Sequence, residues 1–339
     1  MIQVKSSGNI ILVIAAIIII LGALKIAAVI VVPVLLASFI AIVISPIYAW
    51  LIRRKVPSAF ALLAVVLGLM IIFSLVGVLI GSSLQSFSSN MPLYEAQMQI
   101  QLDVLTAKLT NLGIIDGKLG TLFNPSALMK YSATVLKGAG SILTNSFMIL
   151  LIIAFMLLES THFAKKLEQA KGHGGTMLQI DEVFTKIKHY MAIKAVVSLV
   201  TGMLITLLLL LIGLDYAILW GFIVFLLNFI PNIGSILAAV PAVLLAFVQL
   251  GTFGALEIGV IYLVINIIIG SIIEPKLMGA GLGISTLVVF LSLVFWGWLL
   301  GPVGMLLSIP LTITIKIMLY SQDQTRWLAV LMSSSNTEA

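Results

Sequence analysis

Long apolar runs limit this chain to very few folds. One extends from Ile26 to Ile52 without a charged residue, and another covers Ala59 to Ile80. About 20 consecutive apolar residues are enough to cross the hydrocarbon core of a bilayer. Hydrophobic residues make up 61% of the 339 residues and charged residues only 9%, whereas soluble domains carry about 25% charged residues. The sequence therefore predicts an all-α, multi-pass membrane protein and excludes soluble enzymes and nucleic-acid-binding domains.

The order of apolar and polar segments predicts a helical bundle with about eight membrane segments. Ile10–Leu24 and Ile26–Ile52 are expected to form a helical hairpin that turns near Gly22 and Lys25. The predicted regions are the N-terminal transmembrane helices at 1–81, a small extramembrane helical insert at 82–140, a transport core at 141–320 with a cytoplasmic loop at 159–194, and a short polar tail at 321–339.

The insert has its own apolar stripe. The spacing of this stripe is heptad-like, which is typical of a helix that packs on another helix. The insert packs either on its own chain or on another subunit, and the sequence leaves both alternatives open. The stripe consists of Met98, Leu102, Leu105, Leu109 and Leu112.

The distribution of positive charge predicts the orientation. The net charge is +6, from 18 Lys and Arg against 12 Asp and Glu, and in a membrane protein such an excess marks cytoplasmic segments beside anionic lipid. The basic segments 53–55 and 165–194 are therefore predicted to be cytoplasmic, with two membrane spans between them. With a hairpin before Arg53, the N terminus is also inside, and residues 82–140 lie outside. The chain has no cysteine, so disulfides and thiolate metal sites are excluded.

Two apolar tracts carry helix-breaking residues near their centres. Tyr216–Leu250 is too long for one span and too short for two, and Ile284–Tyr320 is interrupted at 296–304. A break at membrane depth is tolerated only where protein or water surrounds it, so both tracts are predicted to be broken helices or re-entrant hairpins. They are either inverted repeats, as in secondary transporters, or two kinked helices without symmetry. The residues expected to form or gate the breaks are Pro231, Gly234, Gly297, Gly301, Pro302 and Gly304.

Polar residues at and near the breaks are the candidate binding groups. Ionisable residues in a membrane segment usually mark function, and Glu274 is the predicted coupling carboxylate. The sequence has no HExxH motif and no complete phosphate-binding loop, which predicts no enzyme activity, no metal, no cofactor and no nucleotide. The predicted partners are a small-molecule solute and the lipid bilayer. The predicted solute-binding residues are Asn228, Asn232, Ser235 and Asn266, the last with a plain helix–helix hydrogen bond as the alternative.

Three C-terminal motifs resemble those of the autoinducer-2 exporter family of bacterial inner-membrane permeases. They are Phe229–Ser235 followed by Ala238–Ala242, Glu274–Gly279 followed by Gly281–Phe290, and Phe295–Leu311. The resemblance covers nearly the whole chain in order, although the N-terminal half is similar only in its hydrophobic pattern.

The resemblance implies a homo-oligomeric, multi-pass inner-membrane transporter that exports autoinducer-2, a small polar signal used in quorum sensing. Some members of the family are instead credited with sodium(lithium)–proton antiport, and a passive channel is the third possibility. Amide, hydroxyl and free backbone groups suit a hydroxyl-rich solute. An exchanger should carry a carboxylate at mid-membrane, whereas the acids of this chain lie near the ends of the predicted spans.

Overall fold

The computed structural model describes residues 5–114, 124–141, 146–170, 176–231, 233–278, 283–320 and 324–333, and within them every regular element is helical. The contacts divide the chain into two compact units: unit 1 comprises Met1–Pro46, Phe147–Val183 and Gly283–Ala339, and unit 2 comprises Ile47–Ser146 and Phe184–Leu282. The helices are α1 (Lys5–Arg53), α2 (Ser58–Asn111), α3 (Pro125–Ser141), α4 (Ser146–Ala170), α5 (Thr176–Ile212), α6 (Ala217–Leu227), α7 (Gly234–Ile265), a π-helix (Asn266–Ile273), α8 (Glu274–Met278), α9 (Thr286–Leu306), α10 (Ser308–Tyr320) and α11 (Arg326–Leu331).

The first helix contradicts the predicted hairpin. Helix α1 continues through Gly22 and Lys25 without a turn. One glycine in a helix interior costs only about 1 kcal/mol, too little to end a helix that is otherwise rich in good helix formers. The Lys25 ammonium lies 4.3 Å from the ring centroid of Trp298, a cation–π contact that accommodates its charge. The hairpin prediction is wrong, and the cytoplasmic N terminus, which required two spans before Arg53, no longer follows.

Helix α2 runs through the predicted boundary between membrane segment and insert. It is one helix of 54 residues, in which Met98 and Leu102 are buried. Helix α3 packs against both α2 and α7 and buries Met129 in the core of unit 2. The packing of the insert on its own chain is thus confirmed. A contact with another subunit, the extramembrane position of the insert and the four predicted region boundaries stay predictions.

The segment predicted as a cytoplasmic loop, 159–194, is mostly helical. Helix α4 extends to Ala170, and α5 begins at Thr176. Ile187, Tyr190 and Met191 are buried along one face of α5. The predicted cytoplasmic position of the segment stays a prediction, because helical structure does not decide on which side of a membrane a segment lies. Lys194 belongs to a helix that continues into an apolar span.

The first apolar tract is broken where predicted. Helix α6 ends at Leu227, and α7 begins at Gly234. A methyl group at Gly234 would lie 1.7 Å from the carbonyl oxygen of Leu227, so the two helix ends approach this closely only because residue 234 has no side chain. Helices α6 and α7 contact each other. With 11 residues, α6 is about 16 Å long, roughly half the hydrocarbon thickness.

The second tract is broken inside the predicted interval 296–304, at Gly301, and again just after it. Helix α9 remains helical through Trp296, departs from helical geometry at Gly301 (φ 69°, ψ −153°) and ends at Leu306. Helix α10 begins at Ser308 and packs against α9. The indole Nε1 of Trp296 donates a hydrogen bond of 3.0 Å to Oγ1 of Thr312. The chain thus turns back on itself at 301–307, and the predicted inverted relation between the two tracts stays a prediction.

The structure confirms a multi-pass helical membrane protein. Among the described residues, five helices are long and apolar enough to cross a membrane: Ile18–Arg53, Ser58–Asn111, Ile187–Ile212, Gly234–Met278 and Thr286–Leu306. Three shorter apolar helices are Ser146–Glu159, Ala217–Leu227 and Ser308–Tyr320. The predicted number of about eight membrane segments stays a prediction.

Candidate functional site

Three polar residues lie on the buried face of helix α5, in and just before its apolar C-terminal half. Lys194, Ser198 and Thr201 are four and three residues apart, a spacing that places side chains on one face of a helix. All three are buried, and Ile205 and Leu209 continue the same face with apolar side chains. We call Lys194, Ser198 and Thr201 the polar row. Burial of polar groups costs free energy unless each group has a partner, so the partners indicate what the row does.

The first member of the polar row forms a buried ion pair. Nζ of Lys194 lies 2.5 Å from Oε1 of Glu274, and the two side chains are only 5% and 15% exposed. A lone charge in a membrane segment is costly, and such residues are usually paired and functional. Removing one partner of a buried pair typically costs about 3–5 kcal/mol. Glu274, the predicted coupling residue, is therefore fixed by a lysine of a different helix.

The second member connects α5 to the first helix break. Nδ2 of Asn228, which is 9% exposed, donates a hydrogen bond of 3.0 Å to Oγ of the fully buried Ser198. Asn228 is the residue that follows the last residue of α6. Thr201 donates through Oγ1 to the carbonyl oxygen of Val197 at 2.7 Å. The polar row thus holds Glu274 at one turn of α5 and the break between α6 and α7 at the next.

Two glycines bring the backbones of α5 and α6 together beside the polar row. A methyl group at Gly221 would lie 1.7 Å from Oγ1 of Thr206 and 2.6 Å from the carbonyl oxygen of Gly202. A methyl group at Gly202 would in turn lie 2.7 Å from the carbonyl oxygen of Gly221. Small residues at a crossing allow this close approach in membrane helices. The crossing positions α6 so that Asn228 reaches Ser198.

The helix that carries Glu274 is irregular just before it. Residues Asn266–Ile273 form a π-helix of 8 residues, and Glu274 follows directly. π-helical turns are rare and are frequently found at functional sites. Asn266 is the first π-helical residue, and a methyl group at Gly270 would lie 3.1 Å from its Oδ1. The Asn266 amide therefore lies along its own helix, and its predicted role in binding stays a prediction.

The other predicted residues of the first break lie close to it in the chain. Pro231 is half-buried between the two helices, and Ser235 is half-buried in the first turn of α7. Asn232 lies outside the described residues. The structure thus joins Asn228 to the polar row, and it places Pro231 and Ser235 at the same break.

The predicted residues of the second break belong to unit 1. They allow the chain to reverse direction where α9 ends and α10 begins. A methyl group at Gly304 would lie 2.1 Å from the carbonyl oxygen of Trp296, and one at Gly297 would lie 2.7 Å from Cγ of Met305. Gly301 provides the change of direction, and the exposed Pro302 follows it. These residues allow the chain to fold back closely, and their role in gating stays a prediction.

Sequence reasoning missed Lys194, Ser198 and the glycine crossing. Lys194 was assigned to a lysine-rich loop, and neutral Ser198 had no signal of its own. The signal that could have found them is the spacing of Lys194, Ser198 and Thr201 on a helix that is apolar up to Ile212. Among the residues that the structure describes, no three His, Asp or Glu side chains gather as a possible metal site.

Comparison with known proteins decides the family. Residues 12–322 match the family model of the AI-2E family transporters. The chain belongs to the AI-2E transporter family. It is 38% identical over 335 residues to the AI-2 transport protein TqsA of Escherichia coli K12, covering 97% of each chain. It is 43% identical over 333 residues to a putative transport protein of Haemophilus influenzae, covering 94% of each chain.

A third relative extends the comparison. The chain is 35% identical over 332 residues to the putative transport protein YhhT of Escherichia coli K12, covering 97% of this chain and 95% of that protein. These matches confirm the family predicted from the C-terminal motifs. They also show that the chain is a multi-pass membrane transport protein.

Proposed function

We propose that this protein is a secondary transporter of the bacterial inner membrane that exports a small polar signal molecule, autoinducer-2, from the cytoplasm. The solute binds beside the polar row, where Ser198 and Asn228 hydrogen-bond its oxygen atoms. Asn232, Ser235 and Asn266 complete the binding groups, and Glu274 provides the coupling charge. The breaks at 228–233 and 301–307 gate the path, and the protein works as a homo-oligomer.

One observation carries the proposal. Polar and charged side chains on the buried face of α5, Lys194 and Ser198, meet two irregular backbone segments of unit 2 through Glu274 and Asn228. Irregular backbone at membrane depth is stable only where protein or a watery cavity surrounds it, and broken helices form the solute sites of many secondary transporters. A site that combines these features suits a solute that itself brings hydrogen-bonding groups.

The chemistry of the site supports a neutral, hydroxyl-rich solute. The ion pair has no net charge, and an amide and a hydroxyl stand on the next turn. Such groups exchange hydrogen bonds with solute hydroxyls without leaving a charge unpaired. The name of the relative TqsA refers to AI-2 transport, which makes autoinducer-2 the first solute to test.

The proposal is tested by efflux of labelled autoinducer-2 from proteoliposomes that contain the full chain. We expect Ser198→Ala and Asn228→Ala each to lower the initial rate about 2–10-fold, the effect of losing one hydrogen bond to the solute. Ser82→Ala and Asn111→Ala are matched controls, because both residues are exposed on α2, and their rates should equal that of the wild type. Rates of the site variants within the range of the controls would contradict the site. Flux of another solute in place of autoinducer-2 would contradict the substrate.

A further inference from the structure

We propose that the Lys194 ammonium group occupies the place that a sodium ion would take beside Glu274, so that the transporter works without sodium. The transport part of this inference rests on the proposed function. The cation part rests on the ion pair alone and can be tested without any solute. The proposal separates a sodium-independent transporter from the sodium(lithium)–proton antiport that the family resemblance left open.

The buried Glu274 carboxylate already has a cationic partner in Lys194. A buried carboxylate in a membrane segment needs a positive partner. At 2.5 Å between Nζ of Lys194 and Oε1 of Glu274, no ion fits between the two atoms. The lysine belongs to the same buried helix face as Ser198 and Thr201, so packing holds it against the carboxylate.

Removal of the ammonium group would leave oxygen atoms suited to a hard cation. Sodium, like other hard cations, prefers carboxylate, carbonyl and hydroxyl oxygens. The Glu274 carboxylate would then have no cationic partner. One turn further along α5 lies the hydroxyl of Ser198, which accepts a hydrogen bond from the amide of Asn228 at the end of α6. A shortened residue 194 would also provide the volume that the lysine side chain fills.

The test compares thermal unfolding of the purified full chain in sodium chloride and in choline chloride. We expect sodium to raise the Tm of Lys194→Ala by about 2 °C, the effect of a ligand near ten times its Kd on a chain of this size. The wild type should shift by less than about 1 °C, because its cation is covalently attached. The matched control is the double variant K194A/E274Q, which has no carboxylate and should also be insensitive to sodium.

Each outcome decides a part of the proposal. A wild type as sodium-sensitive as K194A, or a K194A variant insensitive to sodium, overturns the cation assignment. If K194A does not fold, Lys194→Ser takes its place, because serine is also short, removes the ammonium group and offers a hydroxyl oxygen to a cation. In proteoliposomes, wild-type efflux should be equal in sodium and choline, whereas K194A efflux should require sodium. A correct Tm pattern without flux of any tested solute would support the cation assignment and overturn the proposed function.

Discussion

Gly251 in α7 and Gly301 in α9 share an unusual backbone conformation. Their φ and ψ angles are 74° and −165° for Gly251 and 69° and −153° for Gly301. Residues with a side chain reach this region only at a cost of about 1–3 kcal/mol. A methyl group at Gly301 would meet no atom within 4 Å, and one at Gly251 would lie 3.5 Å from the nearest atom, Oε1 of Gln101. The requirement for glycine at both positions therefore comes from the backbone and not from lack of space.

We expect Gly251→Ala and Gly301→Ala each to lower the Tm by several degrees, because alanine is strained in this conformation. Gly77→Ala is the control: Gly77 is helical in α2 with open space around its Cα, so alanine should leave the Tm unchanged or raise it slightly. Thermal unfolding followed by helical circular dichroism measures all three. A Tm of Gly301→Ala equal to that of Gly77→Ala would contradict the assigned conformation.

Two residues could be singled out from the sequence because their residue types are rare in membrane segments, and their roles stay predictions. Asn228 and Glu274 stand out in an apolar tract by residue type alone, and the structure gives each a partner in α5. Lys194 and Ser198 were not predictable from type, because lysine is common in polar segments and serine is tolerated in membrane helices. Their role depends on which face of α5 is buried, and that is decided by packing with helices distant in sequence.

At the scale of elements, strong breakers were predictable and weak ones were not. Pro231 with Gly234 and Gly301 with Pro302 mark real breaks, because proline lacks an amide donor and these glycines adopt turns or close contacts. Gly22 next to Lys25 does not mark a break, because neither residue forbids helical geometry. The predicted hairpin failed for that reason, and α1 runs as one helix of 49 residues.

The continuity of α1 can be measured directly by the distance between two spin labels. We expect labels on cysteines placed at Leu12 and Val34, both exposed, to lie about 33 Å apart, since a helix rises 1.5 Å per residue. A hairpin that turns near Gly22 would bring the same two positions within about 15 Å. The chain contains no other cysteine, so the labelled sites are unique, and pulsed electron spin resonance distinguishes the two distances.

At the scale of the whole molecule, class and family were predictable, whereas the orientation still depends on charge counting. The composition alone excludes a soluble fold, and the long C-terminal motifs indicate the AI-2E family. Because α1 is one continuous helix and not a hairpin, the expected number of membrane crossings before Arg53 is one and not two. The positions of the basic segment 53–55 inside and of the insert outside do not depend on that count.

Thiol labelling in whole cells tests this orientation. We expect a cysteine at Leu112 to react with a membrane-impermeant maleimide in intact cells, and a cysteine at Arg54 to react only after permeabilisation, because positive segments stay cytoplasmic. Both residues are exposed, and the cysteine-free wild type is the background control. Labelling of Arg54→Cys in intact cells would reverse the predicted orientation.

The π-helix at Asn266–Ile273 has a consequence for how relatives of this chain are aligned. A π-helical turn holds about one residue more than an α-helical turn, so the extra residue is absorbed within the same rotation and the residues after it keep their phase. A relative that lacked one residue here would regain ordinary α-helical bonding, and its counterpart of Glu274 would still face its counterpart of Lys194. A one-residue alignment gap at this point is therefore compatible with the ion pair wherever both charged residues are retained.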